Sequence, residues 1–198
     1  MRHNRGRSPG ASSMPSFVVL SGPPASGKST LAPVLASHLG LPLLAKDTVK
    51  EALMSVLPPV DLSQSSLLGR ASVTAILALA ARSPVGAVLE CNFRRSLACS
   101  ELAALPGKVV EVFCRCEREV AIARYRRRTG RATGHFDGLR SDEELWGEEA
   151  SQPVGGGWPV VEVDTNAPVD LASMLKQVEA ALAGAAGPPA GWQGDTLG

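Results

Sequence analysis

Five short apolar runs divide the chain, and each is followed by a longer stretch with the spacing or composition of a helix. The runs are residues 17–21, 41–45, 87–91, 108–116 and 159–163. Val and Phe, which favour β-structure, are concentrated in the fourth run and make it the clearest strand. Strands that alternate with helices build a parallel sheet that helices cover on both faces. The pattern therefore predicts a three-layer α/β/α sandwich.

The stretches between the strands predict six helices and two less regular segments. We expect helices over residues 31–39, 48–57, 60–82, 96–105, 117–128 and 169–183. Asp47 directly precedes the second helix, where a carboxylate can accept hydrogen bonds from the first turn, so we predict it as an N-cap. Residues 129–138 are rich in Gly and Thr and predict a loop, and three glycines at 155–157 predict a flexible link.

One globular domain accounts for most of the 198 residues, and we expect it to span residues 17–183. Residues 1–16 contain three arginines and no acidic residue, with Gly, Pro and Ser between them. This composition predicts a disordered basic tail. Residues 184–198 are rich in Gly, Pro and Ala, and predict a loose C-terminal tail.

Composition narrows the classes of function. A formal net charge of +1 and an aromatic content of 4% offer neither a strong field nor a stacking platform, so we do not expect a nucleic-acid partner. The four cysteines lack the paired spacing of a metal site, and we expect them to be buried as small apolar residues in a reducing cytoplasm. The longest run of low polarity, residues 71–81, is too short to span a bilayer, so we expect no membrane partner.

A glycine-rich loop follows the first strand. It reads Gly-Pro-Pro-Ala-Ser-Gly-Lys-Ser-Thr over residues 22–30, which has the form G-x-x-x-x-G-K-[ST]. Glycines let successive backbone N–H groups surround a phosphate, and the following helix start adds free donors. We expect Lys28 to reach the β- and γ-phosphates of a nucleotide and the Ser29 hydroxyl to ligate Mg²⁺. The predicted phosphate-binding residues are Gly22, Pro24, Ala25, Ser26, Gly27, Lys28, Ser29 and Thr30.

Polar side chains stand where later strands end, which is the edge at which parallel sheets bind ligands. Asp47, nineteen positions after Lys28, is expected beside the γ-phosphate, where it would deprotonate an attacking hydroxyl. Glu90 would hold Mg²⁺ or its waters, and Asn92 would support substrate or metal. The alternatives are a purely structural cap for Asp47 and solvent-facing positions for the other two.

The segment from residue 115 to 131 is strongly basic, with seven arginines and two glutamates. On a helix, Arg124, Arg128 and Arg131 would share one face. Nearby glycines suit a hinged lid over about residues 124–150. Arginines on such a lid would neutralise the charge of a phosphoryl group in transfer. The alternative is a solvated basic helix that pairs with the acidic segment after it.

In order and spacing, these motifs resemble those of the small P-loop kinases. That group includes chloramphenicol phosphotransferase, shikimate and gluconate kinases, zeta toxins and the kinase part of polynucleotide kinase. The resemblance covers residues 16–183. Besides the phosphate loop, the motifs that carry it are Lys46-Asp47-Thr48-Val49-Lys50-Glu51, Glu90-Cys91-Asn92-Phe93, Arg124-Tyr125-Arg126-Arg127-Arg128 with Arg131 and Gly134-His135, and Val163-Asp164-Thr165-Asn166.

The resemblance implies a five-stranded parallel sheet of order 2-3-1-4-5, ATP as the phosphoryl donor and Mg²⁺ as the metal. By similarity, Asp47 is the general base and the arginines at 124, 128 and 131 act from the lid. The turn after Asp164, with Asn166 and Pro168, would lie against adenine. Ala45 stands where shikimate kinases have a second aspartate, which argues against shikimate as the substrate. Glu90 replaces the usual Asp of this group.

We therefore expect an ATP-dependent kinase that phosphorylates a hydroxyl of a small molecule, such as an antibiotic, a nucleoside or a sugar derivative. The nearly uncharged segment at 60–82 would line the acceptor pocket, and Lys50, Arg70 and Asn92 would contact polar groups of the acceptor. One alternative is a polynucleotide 5′-hydroxyl kinase in which Lys50 holds a neighbouring phosphate. A second is an ATP-binding switch or ATPase that acts with a protein partner and does not need Asp47.

Overall fold

A computed structural model describes residues 14–130 and 132–187 of the chain. It contains one five-stranded sheet in the order β2-β3-β1-β4-β5, and every pair of neighbouring strands is parallel. The strands are β1 (Ser16–Ser21), β2 (Leu43–Ala45), β3 (Gly86–Glu90), β4 (Lys108–Arg115) and β5 (Val160–Asp164). The predicted α/β class and strand order are therefore confirmed. Most of the two predicted tails, and Arg131, lie outside the described residues.

Helices cover both faces of the sheet. They are α1 (Lys28–Leu39), α2 (Lys46–Val56), α3 (Leu62–Ala81), α4 (Arg95–Ala103), α5 (Arg118–Arg126), α6 (Asp142–Trp146) and α7 (Leu171–Gly184). Single 3₁₀ turns at Thr133–His135, Asp137–Leu139 and Glu148–Ala150 interrupt the lid region. Helices alternate with strands through most of the chain, so the sheet edge at the strand ends stays open for a site.

Side chains of β1 alternate between two separate cores. Val18 and Leu20 pack with α1 and α7 on one face, and Phe17 and Val19 pack with α3 and α4 on the other. All four are fully buried, because β1 lies in the middle of the sheet. The first strand is thus fixed on both sides, and the loop that follows it starts from a rigid point.

Three of the differences from the predicted element boundaries change the reading of a predicted residue. Helix α2 begins at Lys46 after Ala45, so Asp47 lies in its first turn, and the predicted role as N-cap is wrong. Helix α5 ends at Arg126, so Arg128 lies beyond it and does not share a helix face with Arg124. Thr129 and Gly130, which are poor helix formers, follow there. Ser16, assigned to the tail, is the first residue of β1.

A buried carboxylate ties the sheet to the segment before β5. Glu111, in the middle of β4, has no exposed surface. It accepts hydrogen bonds from the Ser21 hydroxyl, from the backbone N–H groups of Val154 and Gly155 at 2.8 and 3.0 Å, and from the Trp158 indole at 3.1 Å. Four donors stabilise a charge that burial alone would make costly. The glycine segment, predicted to be a flexible link, is therefore anchored at Gly155.

Candidate active site

A cavity of about 1290 Å³ opens at the carboxyl ends of the strands. The phosphate loop forms its floor, and α2 and α3 form one wall. The lid residues after α5 and the turn after β5 complete the lining. This volume exceeds the roughly 300–1,000 Å³ that is usual for ligand pockets in proteins, so it is large enough for two small molecules side by side.

The phosphate loop has the backbone geometry that its glycines predict. Gly22 and Gly27 have φ values of 131° and 89°, which only glycine adopts readily. A side chain at Gly22 would also lie 2.7 Å from the Cys114 carbonyl oxygen, so the loop sits directly on β4. Ala25 adopts a φ of 63°, a left-handed conformation that is strained for a residue with a side chain. Helix α1 starts at Lys28 without a side-chain cap, and the residues of its first turn line the cavity.

Lys28 is folded back into this loop. Its ammonium group is buried and donates to the carbonyl oxygens of Gly22 and Pro23 at 2.8 and 2.7 Å. Burial lowers the pKa of Lys28 below its usual value, and the nearby Glu90 carboxylate opposes that shift. Two neutral carbonyl groups only partly compensate a buried charge. An anion such as a nucleotide phosphate would supply the missing countercharge.

Ser29 and Glu90 meet at the edge of the loop. The Ser29 hydroxyl donates to a Glu90 carboxylate oxygen at 3.2 Å. In the same loop, the Ser26 hydroxyl is buried and has no hydrogen-bond partner among the described residues. A hydroxyl and a carboxylate, completed by waters and phosphate oxygens, form the oxygen ligand set that Mg²⁺ prefers. Within the described ranges, no cluster of three or more His, Cys, Asp or Glu side chains offers a metal site made of protein alone.

Asp47 lines the same cavity from the first turn of α2. Its carboxylate accepts a hydrogen bond from the ammonium group of the preceding Lys46 at 2.9 Å, and its side chain is 41% exposed. The carboxylate therefore remains accessible from the cavity and has a cation beside it. The structure brings Asp47, Lys28 and the Ser29–Glu90 pair to the walls of one cavity.

The three residues predicted to contact the acceptor also line this cavity. Arg70 reaches it from α3, and Asn92 from the turn after β3. Lys50 is different, because it is almost fully buried and donates to the Ser65 hydroxyl at 2.8 Å. That hydroxyl in turn donates to the Gly134 carbonyl oxygen at 2.7 Å, so Lys50 joins α2 to α3 and to the lid.

The lid places two of the three predicted arginines at the cavity. Arg124 and Arg128 line it, and Arg128 also lies against the Tyr125 ring, with 5.3 Å from the guanidinium carbon to the ring centre. The third, Arg131, lies outside the described residues. Arg124 donates to the carbonyl oxygen of Asn166 at 3.2 Å, which links the lid to the turn after β5.

The two residues predicted to lie against adenine have different positions. Pro168 lines the cavity wall. The side-chain oxygen of Asn166 instead accepts a hydrogen bond from the backbone N–H of Glu117 at 2.9 Å, and Asn166 does not line the cavity. We therefore assign Asn166 to the support of this wall and retain Pro168 as a candidate contact.

Sequence patterns missed several residues of the site. Arg94 and Arg140 line the cavity and hold α6, because both bond to Glu144: Arg94 to its carbonyl oxygen at 2.9 Å, and Arg140 to its carboxylate. Neither residue belongs to a motif, and Arg94 lies 50 positions from Glu144 along the chain, so no local pattern indicates their meeting. The lining of the cavity is consequently more charged than the sequence of α3 indicated.

All four cysteines are free thiols. Burial raises the pKa of Cys91 to about 12 and the pKa of Cys114 to about 11. Both therefore stay protonated at neutral pH, and neither serves as a nucleophile although Cys91 lines the cavity. In the part of the chain that the structure describes, no helix has the length and apolar character needed to cross a membrane.

No protein-family model and no curated protein matches the chain. Solved structures do match it. One is a protein from Chloroflexus aurantiacus provisionally described as a kinase, which is 29% identical with a TM-score of 0.77, over 85% of this chain and 99% of that one. A gluconokinase from Sinorhizobium meliloti 1021 is 25% identical with a TM-score of 0.57, over 86% and 93% of the two chains.

A shikimate kinase from Acinetobacter baumannii, solved with shikimate, shares the fold at 17% identity, with a TM-score of 0.52 over 86% of this chain and 94% of that one. These likenesses agree with the strand order of the sheet. The chain therefore has the fold of the small P-loop kinases, the group that its motifs resemble.

Proposed function

We propose that this protein is an ATP-dependent kinase that transfers the γ-phosphoryl group of ATP to a hydroxyl of a small molecule. One observation carries the proposal: a single cavity is lined by the phosphate loop, the Ser29–Glu90 pair and the Asp47 carboxylate. A site that only bound a nucleotide would need the phosphate loop and the Ser29–Glu90 pair but not Asp47. A carboxylate that is open to the same cavity adds the group that an acceptor hydroxyl requires.

Each of these residues has a separate role in the transfer. Asp47 accepts the proton of the acceptor hydroxyl while that oxygen bonds to the γ-phosphorus. The bond from the γ-phosphorus to the bridging oxygen breaks, and ADP carries the electron pair away. Lys28, Arg124 and Arg128 neutralise the charge that spreads over the phosphoryl oxygens. Mg²⁺, held through Ser29 and Glu90, would supply further charge neutralisation at the β- and γ-phosphates.

The acceptor would bind between α3 and the lid, beside Asp47. Ser66, Thr74 and Asn92 offer hydrogen bonds there, and Val73 and Phe93 offer apolar contact. Such a mixture suits a compound with several hydroxyl groups on a compact skeleton. The likeness to a gluconokinase favours a sugar derivative over an antibiotic or a nucleoside. Arg70 would contact a polar or anionic group of that compound.

A screen with ATP and Mg²⁺ tests the proposal. The protein is incubated with pools of sugar derivatives, nucleosides, antibiotics and 5′-hydroxyl oligonucleotides, and each pool is analysed for the mass gain of one phosphoryl group. We expect the gain in a small hydroxyl compound. A gain confined to the oligonucleotides would contradict the proposed acceptor class, and ATP turnover without any phosphorylated acceptor would contradict a kinase.

A further inference from the structure

A tryptophan of the lid contacts the phosphate loop. Trp146, the last residue of α6, is buried and donates its indole N–H to the Pro24 carbonyl oxygen at 3.2 Å. Pro24 and Ala25 line the main cavity, but Trp146 does not. The indole therefore contacts the loop from outside the lining of the cavity.

The geometry of a peptide bond turns this contact into a constraint on the cavity side. The bond between Pro24 and Ala25 is trans, so its carbonyl and its N–H point in opposite directions. A carbonyl held towards Trp146 directs the Ala25 N–H away from Trp146, and Ala25 itself lines the cavity. Ala25 adopts a strained φ of 63°, a conformation that the loop does not favour by itself. The hydrogen bond from Trp146 to the Pro24 carbonyl helps to hold it.

Trp146 is itself held by the lid. Its ring meets the Tyr125 ring edge-on, with ring centres 5.2 Å apart and an angle of 88° between the planes. Leu145 and Ala121 complete a small core between α6 and α5. The same Tyr125 ring carries Arg128 on its face. One aromatic pair thus links the position of the phosphate loop to the position of a lid arginine.

We propose that Trp146 is a positioning residue for the phosphate loop: its indole N–H orients the Pro24–Ala25 peptide so that the Ala25 N–H donates to a nucleotide phosphate. This inference rests on the proposed function, because it needs a nucleotide in the loop. It assigns a role to a lid residue that touches neither substrate.

The test is a comparison of nucleotide affinities by calorimetry, with Mg²⁺ and without any acceptor. Trp146→Phe keeps an aromatic ring against Tyr125 and removes the donor. We expect ADP and ATP to bind about fivefold more weakly to this variant, since one hydrogen bond is lost. The affinity for adenosine, which has no phosphate, should stay unchanged. A merely structural role would weaken all three ligands together.

Trp158→Phe is the matched control, because it removes an indole N–H that bonds to Glu111 instead of to the loop. We expect its affinities for all three ligands to equal those of the wild type. If Trp146→Phe does not fold, benzothienylalanine placed at position 146 keeps the shape of the indole without the N–H. Unchanged ADP and ATP affinity in a folded variant at position 146 would overturn the inference and leave the proposed function standing. A wild-type chain that binds no ADP or ATP would overturn both.

Discussion

Asp47 is the residue on which the proposed transfer depends most directly. We predict that Asp47→Asn lowers kcat by about 10²- to 10⁴-fold, since an amide cannot take the acceptor proton. The affinity for ATP should stay close to that of the wild type, because the loop and Lys28 are untouched. Steady-state kinetics with the acceptor and direct ATP binding measure the two effects separately.

Asp142→Asn is the control for that variant, because Asp142 is exposed on α6 and does not line the main cavity. It makes the same chemical change and should leave kcat unaltered. An Asp47→Asn protein with wild-type kcat would show that another group, or no group, accepts the proton.

Lys28 gives stability a dependence on pH that can be measured. Burial lowers the pKa of Lys28 from its usual 10.5, so between the lowered value and 10.5 the unfolded chain binds more protons than the folded chain. In that window the free energy of unfolding of the wild type should rise with pH relative to Lys28→Met. Urea unfolding of both proteins at pH values approaching 10.5 tests this. If the difference in the free energy of unfolding between the wild type and Lys28→Met stayed constant or fell with pH, the lowered pKa of Lys28 would be refuted.

At the scale of elements, the lid should act on the chemical step more than on nucleotide binding. We predict that Arg128→Ala lowers kcat by about 10²- to 10³-fold, because a charge aimed at the phosphoryl group acts mainly in the transition state. The affinity for ATP should fall far less. Arg127→Ala removes an exposed arginine next to it that does not line the cavity, and should have little effect on either quantity. Equal losses of kcat and ATP affinity in Arg128→Ala would refute the proposal that Arg128 acts mainly in the transition state.

The segment from residue 154 to 158 depends on Glu111 for its position. Glu111→Gln replaces one acceptor oxygen by an NH₂ group that faces other donors, so we predict a loss of about 2–4 kcal/mol in the free energy of unfolding. For a chain of this size the melting temperature should fall by about 10 °C. Glu162→Gln makes the same change on an exposed residue of β5 and should leave the melting temperature unchanged. Equal melting temperatures of the two variants would contradict the anchoring role.

The elements show why part of this structure was predictable from the sequence. The alternation of apolar runs and helices determines the sheet, and the glycine spacing determines the loop from Gly22 to Gly27, because both depend on residues close in sequence. The N-cap assigned to Asp47 failed because α2 begins at Lys46, two residues before the predicted start, and Ala45 is its N-cap. Contacts such as Trp146 with Pro24, or Glu111 with Val154, join residues far apart in the chain. No local sequence pattern predicts these long-range contacts.

At the scale of the whole molecule, a rigid sheet holds one edge of the cavity and a smaller lid forms another. Strand β1 is packed on both faces in large cores, whereas the described lid residues contribute to a small core around Trp146. Local opening should therefore involve the lid before the sheet. This division suits a kinase, which must admit two substrates and then exclude water from the phosphoryl group.

The most direct test of the central claim is the stoichiometry of the reaction. With the acceptor found in the screen, ADP and phosphorylated acceptor are quantified together over one time course. The account predicts equal amounts of both products, and the loss of both in Asp47→Asn. ADP that appears with free phosphate and without phosphorylated acceptor, in wild type and Asp47→Asn alike, would contradict it.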